Sequence, residues 1–188
     1  NAIPYLSRVD AGTIDLVRSL GAEVVTSADL VQQCEAVWDD AQLASHQVAA
    51  EGLRAIVDEA FGFVGTSLAA RSSLTEYGLQ QYILSRMQAR GLVTSSPPIA
   101  AVNAHSADPH YAPASEGSAP IRQGDLVLID LWAKQPGPGA VYADITWTGF
   151  VGATVPARQQ DIFQIVRRAR DAAVTFVQGR VRAGECPY

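Results

Sequence analysis

Asp130 stands inside an apolar run, residues 126–133 reading LVLIDLWA. A strand of that composition is expected to be buried. A lone carboxylate there would cost several kcal/mol or shift its pKa, so a compensating partner is implied. Asp144 lies in a second strand-like run, residues 141–150. A period of two puts Asp144, Thr146 and Thr148 on one face and Ala143, Ile145 and Trp147 on the other. Between the runs, QPGPG (135–139) consists of turn formers centred on Gly137. Pairing that is symmetric about Gly137 sets Asp130 directly opposite Asp144, with Cβ atoms about 4.5–5.5 Å apart. Like charges at that spacing repel, so a cation between them is called for. Hard oxygen donors converging on one point suit Mn, Mg or Zn, and a metal pair about 3.5–4 Å apart fits the span. The competing reading is that each aspartate is satisfied by a nearby Arg or by backbone donors.

The elements that would position these groups can be read from periodicity. A long amphipathic helix is expected from about Asp39, with Leu53, Val57, Phe61, Val64 and Leu68 along one stripe. His46 reads as an ordinary residue of that helix. A second helix has Thr75 as N-cap and Gly91 just past its end, with Leu79, Ile83 and Met87 as its apolar side. Residues 94–124 are rich in Pro and loop-like, with one short strand near 99–102. After the hairpin, a last helix opens at Pro156 and runs through Ile162, Ile165, Ala169, Ala172 and Phe176 to stop near Gly184. At the other end, IPYL (3–6) and AEVVTS (22–27) read as strands flanking a short helix over 14–21 that ends at Gly21.

The chain has 188 residues, 48% of them hydrophobic and 18% charged, a globular balance whose length suits one domain with a small appendage. Net charge is -5 and no run of Lys or Arg offers a phosphate-neutralising stripe, which argues against nucleic acid as a partner. Cys34 and Cys186 are far apart and form no C-x-x-C pair, against a disulfide framework or thiolate zinc site and for a reducing compartment. No apolar stretch approaches the roughly 20 residues of a bilayer span, and the first residues lack the regions of a signal peptide. The expectation is a cytoplasmic protein with no membrane partner.

Three segments in order, NAHSADPHY (103–111), IRQGDLVLIDLWAK (121–134) and VYADITWTGFVG (141–152), resemble the signature of the pita-bread metallopeptidases. That family includes Xaa-Pro aminopeptidase, prolidase and methionine aminopeptidase. IPYLSRVDAG (3–12) through TSADLV (26–31) is similar to the end of the Xaa-Pro branch's creatinase-type N-terminal domain. The resemblance implies an α+β fold: the first half of a pita-bread domain, a curved antiparallel sheet with helices on its outer face. Residues 1–36 would be the remnant of the preceding domain, and 37–188 the N-terminal half of a truncated catalytic domain. It also implies a peptide substrate, N-terminal Xaa-Pro bonds in particular, and two divalent metals (Mn, Co or Zn) that activate a water and polarise the scissile carbonyl. Asp130 would bind one metal through both oxygens and Asp144 would bridge the two. His110 would be the active-site histidine that hydrogen-bonds the substrate and steadies the tetrahedral intermediate, with Tyr111 and His105 lining the substrate site.

The segments also depart from the family's pattern. QPGPG lengthens the hairpin, and Trp147 stands where an Arg commonly follows D-I-T. The family's remaining ligands, one His and two Glu, have no counterpart: no histidine follows His110, and the only glutamate after the hairpin is Glu185. The chain by itself is therefore expected to bind metal weakly, to be inactive, and to self-associate or form a homodimer through its uncovered half. An alternative is a non-catalytic pita-bread module, or a metal-free C–N hydrolase of the creatinase kind. The second of these has no need of the two strand aspartates.

Overall fold

The computed structural model describes residues 9–185; the strand expected over 3–6 lies outside them. Helix α1 (Ala11–Ser19) starts at Asp10, whose carboxylate accepts the Thr13 amide at 2.9 Å. It ends before Gly21, which takes φ +82°. Residues 22–27, expected as a strand, form no regular element, and Val25 is 73% exposed. An extended segment becomes a strand only by joining a sheet, and the sheet of the described residues does not include it. Helix α2 (Ala28–Val31) follows and runs into a π turn, Gln32–Ala36.

Helix α3 (Asp40–Ala69) is the spine of the fold. Asp39 and Gln42 form a reciprocal capping box, each side chain accepting the other's backbone N–H, at 2.7 and 2.9 Å. Leu53, Val57 and Val64 of the expected stripe are buried, and Phe61 and Leu68 pack partly against the same core. Helix α4 (Glu76–Ala89) begins where Thr75 Oγ1 accepts the Gly78 amide, and it buries Leu79, Ile83 and Met87 as anticipated. Glu59 on α3 clasps α4 by ion pairs to Arg86, at 2.6 Å, and to Arg90.

The sheet has three antiparallel strands in the order β1 (Ile99–Val102), β2 (Leu126–Ala133), β3 (Ala143–Phe150). β2 alternates strictly: Val127, Ile129, Leu131 and Ala133 are buried, while Leu128, Asp130 and Trp132 are half-buried. The buried set joins the core that α3 and α4 form on one face. Each such side chain contributes about 1.5–3 kcal/mol when fully buried. The expected burial of Asp130 within an apolar strand is thus corrected to half-burial, because only one face of β2 has helices over it among the described residues. Asp130 points to the other, so its carboxylate keeps access to water.

Helix α5 (Ala157–Arg182) has Pro156 as its N-cap rather than as its first helical residue, and stops before Gly184 at φ +69°. Its apolar positions recur as the sequence requires, yet no residue along it is buried. Ile162 and Phe176 are 51% and 58% exposed.

Candidate metal centre and the adjoining loop

Asp130 and Asp144 lie on the same sheet face, as expected, but they are not directly opposed. Asp130 faces Thr146, and Asp144 faces Trp132. The aspartates are diagonal neighbours, a relation that separates Cα atoms by about 7–8 Å. The shift has a local cause. Gly137 and Gly139 both adopt positive φ, +115° and +76°, so the turn is centred on Pro138 between them rather than on Gly137. Backbone at the loop ends is also spoken for. Ser45 Oγ accepts the Val141 amide at 3.1 Å, and His46 Nδ1 donates to the Tyr142 carbonyl at 2.8 Å, so β3 starts at Ala143. His46, expected to be an ordinary helix residue, is a clamp between α3 and the hairpin, with its ring 5.0 Å from Trp38.

The carboxylates have unequal surroundings. Asp130 Oδ1 accepts the Thr146 hydroxyl at 2.6 Å. Burial, and after it the negative charge of Asp130, pushes the Asp144 carboxyl above its usual range. The second influence shows that the two are within electrostatic reach, which direct opposition is not needed to achieve. Trp147, on the opposite face, has the Arg54 guanidinium of α3 over its ring at 4.3 Å. Among the described residues no group of three or more His, Cys, Asp and Glu converges as metal ligands would. The pair offers hard oxygen donors of the right type but not a full coordination shell.

The loop after β1 carries the candidate histidines. His110 is exposed, and its amide donates to Asp108 Oδ1 at 2.9 Å, an Asx turn that sets its backbone. His105 sits in a 3-10 turn, Asn103–Ala107, and stacks on Tyr111 with ring centroids 4.4 Å apart. Both of those rings converge on Glu76, which the sequence reasoning passed over. Glu76 is fully buried in the first turn of α4. Its Oε1 accepts the Val102 amide at 2.7 Å and His105 Nδ1 at 2.9 Å; its Oε2 accepts the Tyr111 hydroxyl at 2.6 Å and the Ala119 amide at 2.9 Å. Burial is the largest single influence on the Glu76 carboxyl and pushes it up. The hydrogen bonds, that of Tyr111 foremost, together outweigh burial and hold it below its usual range. Tyr111 is pushed up to about 12, by burial first and then by its bond to Glu76. A signal was there to find: Glu76, Leu79, Gln80, Ile83 and Met87 share the helix's buried face. A carboxylate on an apolar stripe needs donors.

Residues 40–186 match the metallopeptidase family M24, and the chain belongs to that family. A comparison by sequence with curated proteins found no match. Among solved structures, dipeptidase PepE from Mycobacterium ulcerans is 25% identical with TM-score 0.63, over 89% of this chain and 42% of its own. The X-prolyl aminopeptidase of Caenorhabditis elegans, described as a cytosolic enzyme with a di-nuclear active site, is 26% identical with TM-score 0.59, over 69% of this chain and 21% of its own. A Thermococcus sibiricus prolidase is 23% identical with TM-score 0.58, over 89% of this chain and 43% of its own. The present chain therefore spans less than half the length of the structures it resembles. Its helices and antiparallel sheet are part of a pita-bread domain. No helix among the described residues is long and apolar enough to cross a membrane.

Proposed function

We propose that this chain carries part of the active site of a metal-dependent peptidase that hydrolyses N-terminal peptide bonds, Xaa-Pro bonds in particular, and that the chain alone is inactive. The observation that carries the reading is the pair Asp130 and Asp144, on one sheet face and electrostatically coupled, in a member of a metallopeptidase family. Asp130 and Asp144 would hold two divalent ions, Mn, Co or Zn, which supply Lewis-acid polarisation of the scissile carbonyl and activation of water. Thr146 orients one Asp130 oxygen and leaves the other free. His110 would hydrogen-bond the substrate from its exposed loop, with Tyr111 and His105 behind it.

The division of the chain at residues 36 and 37 belongs to the same proposal and is supported by a family match that begins at residue 40. So do a cytoplasmic location and association with a second copy. The exposed apolar row on α5 supports the latter. A non-catalytic role for the isolated chain is favoured by one observation, the lack of a third ligand beside the pair among the described residues.

The test is hydrolysis of an Xaa-Pro dipeptide with added Mn, Co or Zn, by the chain as it stands and by the chain extended with whatever polypeptide its gene encodes downstream. Turnover only by the extended form, abolished in Asp130→Asn and Asp144→Asn, is the expected result. Metal-independent turnover that survives both substitutions would select the creatinase-type alternative.

A further inference from the structure

Glu76 is not one of the strand aspartates and has no part in the chemistry proposed above, yet it is fully buried and accepts hydrogen bonds on both oxygens. Its four donors come from the end of β1, the 3-10 turn, the middle of the following loop, and the segment returning to α4. Residues 102–119 are thus tied at four points to one carboxylate, and His110 lies between the ties at His105 and Tyr111. Few other bonds beyond its strand pairing serve this stretch: the Glu76 amide donates to the Ala119 carbonyl at 3.0 Å, Ser118 Oγ accepts the Tyr77 amide at 2.8 Å, Asn103 Nδ2 donates to Asp125 Oδ1 at 2.7 Å, and Asn103 Oδ1 accepts the Leu126 amide at 3.0 Å.

The chemistry of the contact then determines a proton. An ionised carboxylate only accepts, so the His105 nitrogen facing Glu76 Oε1 must be the one that carries hydrogen. In the neutral ring that leaves Nε2 as a lone-pair acceptor. The His105 side chain is 43% exposed, and its Nε2 makes no hydrogen bond among the described residues. This is the arrangement by which a buried carboxylate orients a working imidazole elsewhere, holding tautomer and ring plane together.

We propose that Glu76 is a positioning residue: it fixes His105 as the Nδ1–H tautomer with Nε2 open to an N–H donor of a peptide, and it holds the loop that presents His110. The proposal deepens the peptidase reading and rests on it for the identity of the ligand. The geometry of Glu76, His105 and Tyr111 can be tested without turnover.

The experiment is nitrogen-15 NMR of the imidazole rings in the full chain, recorded well above the ordinary imidazole pKa of about 6.5, with His105→Asn used to assign the resonance. An Nδ1–H pattern for His105 is expected; an Nε2–H pattern overturns the proposal. As a second readout, phenolate absorbance in Glu76→Gln, assigned with Tyr111→Phe, should show Tyr111 titrating closer to its ordinary value of 10.0 than to about 12. A folded Glu76→Gln chain in which Tyr111 titrates as in the wild type also overturns it. If that variant does not fold, the wild-type tautomer decides alone. Since neither measurement needs metal or substrate, an inactive chain leaves the test intact. A failed tautomer leaves the Asp130 and Asp144 reading standing.

Discussion

Glu76 is a fully buried carboxylate and Asp144 an exposed one, and their titrations move in opposite directions. At Glu76 burial is complete, but four donors meet the two oxygens and the charged form is favoured. At Asp144 burial is slighter, the nearest charge is another aspartate, and the charged form is disfavoured. Depth of burial alone would rank them the other way round. What decides the sign is whether donors arrive with the burial. One region is finished: its polar groups are matched, and it fixes a loop. The other is open, two like charges within electrostatic reach on a sheet face that no helix of the described residues covers. The helices repeat the contrast. α3 and α4 bury their stripes, whereas α5 presents Phe163, Ile165 and Phe176 to solvent.

The comparison breaks most directly at Glu76. Glu76→Ala strands four donors, and at neutral pH it should lower the unfolding free energy by about 3 kcal/mol or more, read by urea denaturation of the full chain. Because the folded-state pKa is lowered, that stabilisation is present above the ordinary value of 4.5 and fades as pH falls through the folded-state value. A loss under about 1 kcal/mol would mean that the cluster is not the anchor described here. Asp144→Asn should act in the opposite sense. Its folded-state pKa is raised, so the native chain binds the proton more tightly and the penalty grows as pH rises above the ordinary 3.8. The variant should melt slightly higher than wild type at pH 7, the gain being small because Asp144 is exposed and screened by solvent, and equally at about pH 3, followed by circular dichroism. A lower melting point at pH 7 would show that Asp144 has a donor in solution. The smallest effect belongs to α5. Phe176→Ser should change the stability of the monomer by under about 0.5 kcal/mol, as at an ordinary surface position. By light scattering it should lower the mass of any self-associated form. A large loss of stability with no change in mass would show that α5 packs on its own chain.

The helices α3, α4 and α5, the strands and the order of the site segments were legible because they depend on local rules: caps at Asp39 and Thr75, stopping glycines, and periods of 3.6 and 2. That Asp130 and Asp144 share a sheet face follows from any pairing centred on a residue, Gly137 and Pro138 alike, and a slip of one residue in the pairing would have split them. Their register does not follow in that way. Gly137 and Gly139 both take positive φ, and a turn centred on Pro138 rather than Gly137 goes with Ser45 and His46 holding the backbone at 141 and 142 from a helix far away in sequence. The strand expected over 22–27 failed for a related reason, since a strand needs a neighbouring strand to build a ladder and the three-stranded sheet of the described residues lies elsewhere. Glu76 is the sharpest case. Its place on an apolar stripe could be read, but not which of the chain's many donors would reach it. By itself, the sequence determined which residues are helical, which are extended, and which acids sit where acids are costly. Only the tertiary structure decided which of those acids are answered, because hydrogen-bond donors from residues 102, 105, 111 and 119 converge on one carboxylate only once β1, α4 and the loop are packed together.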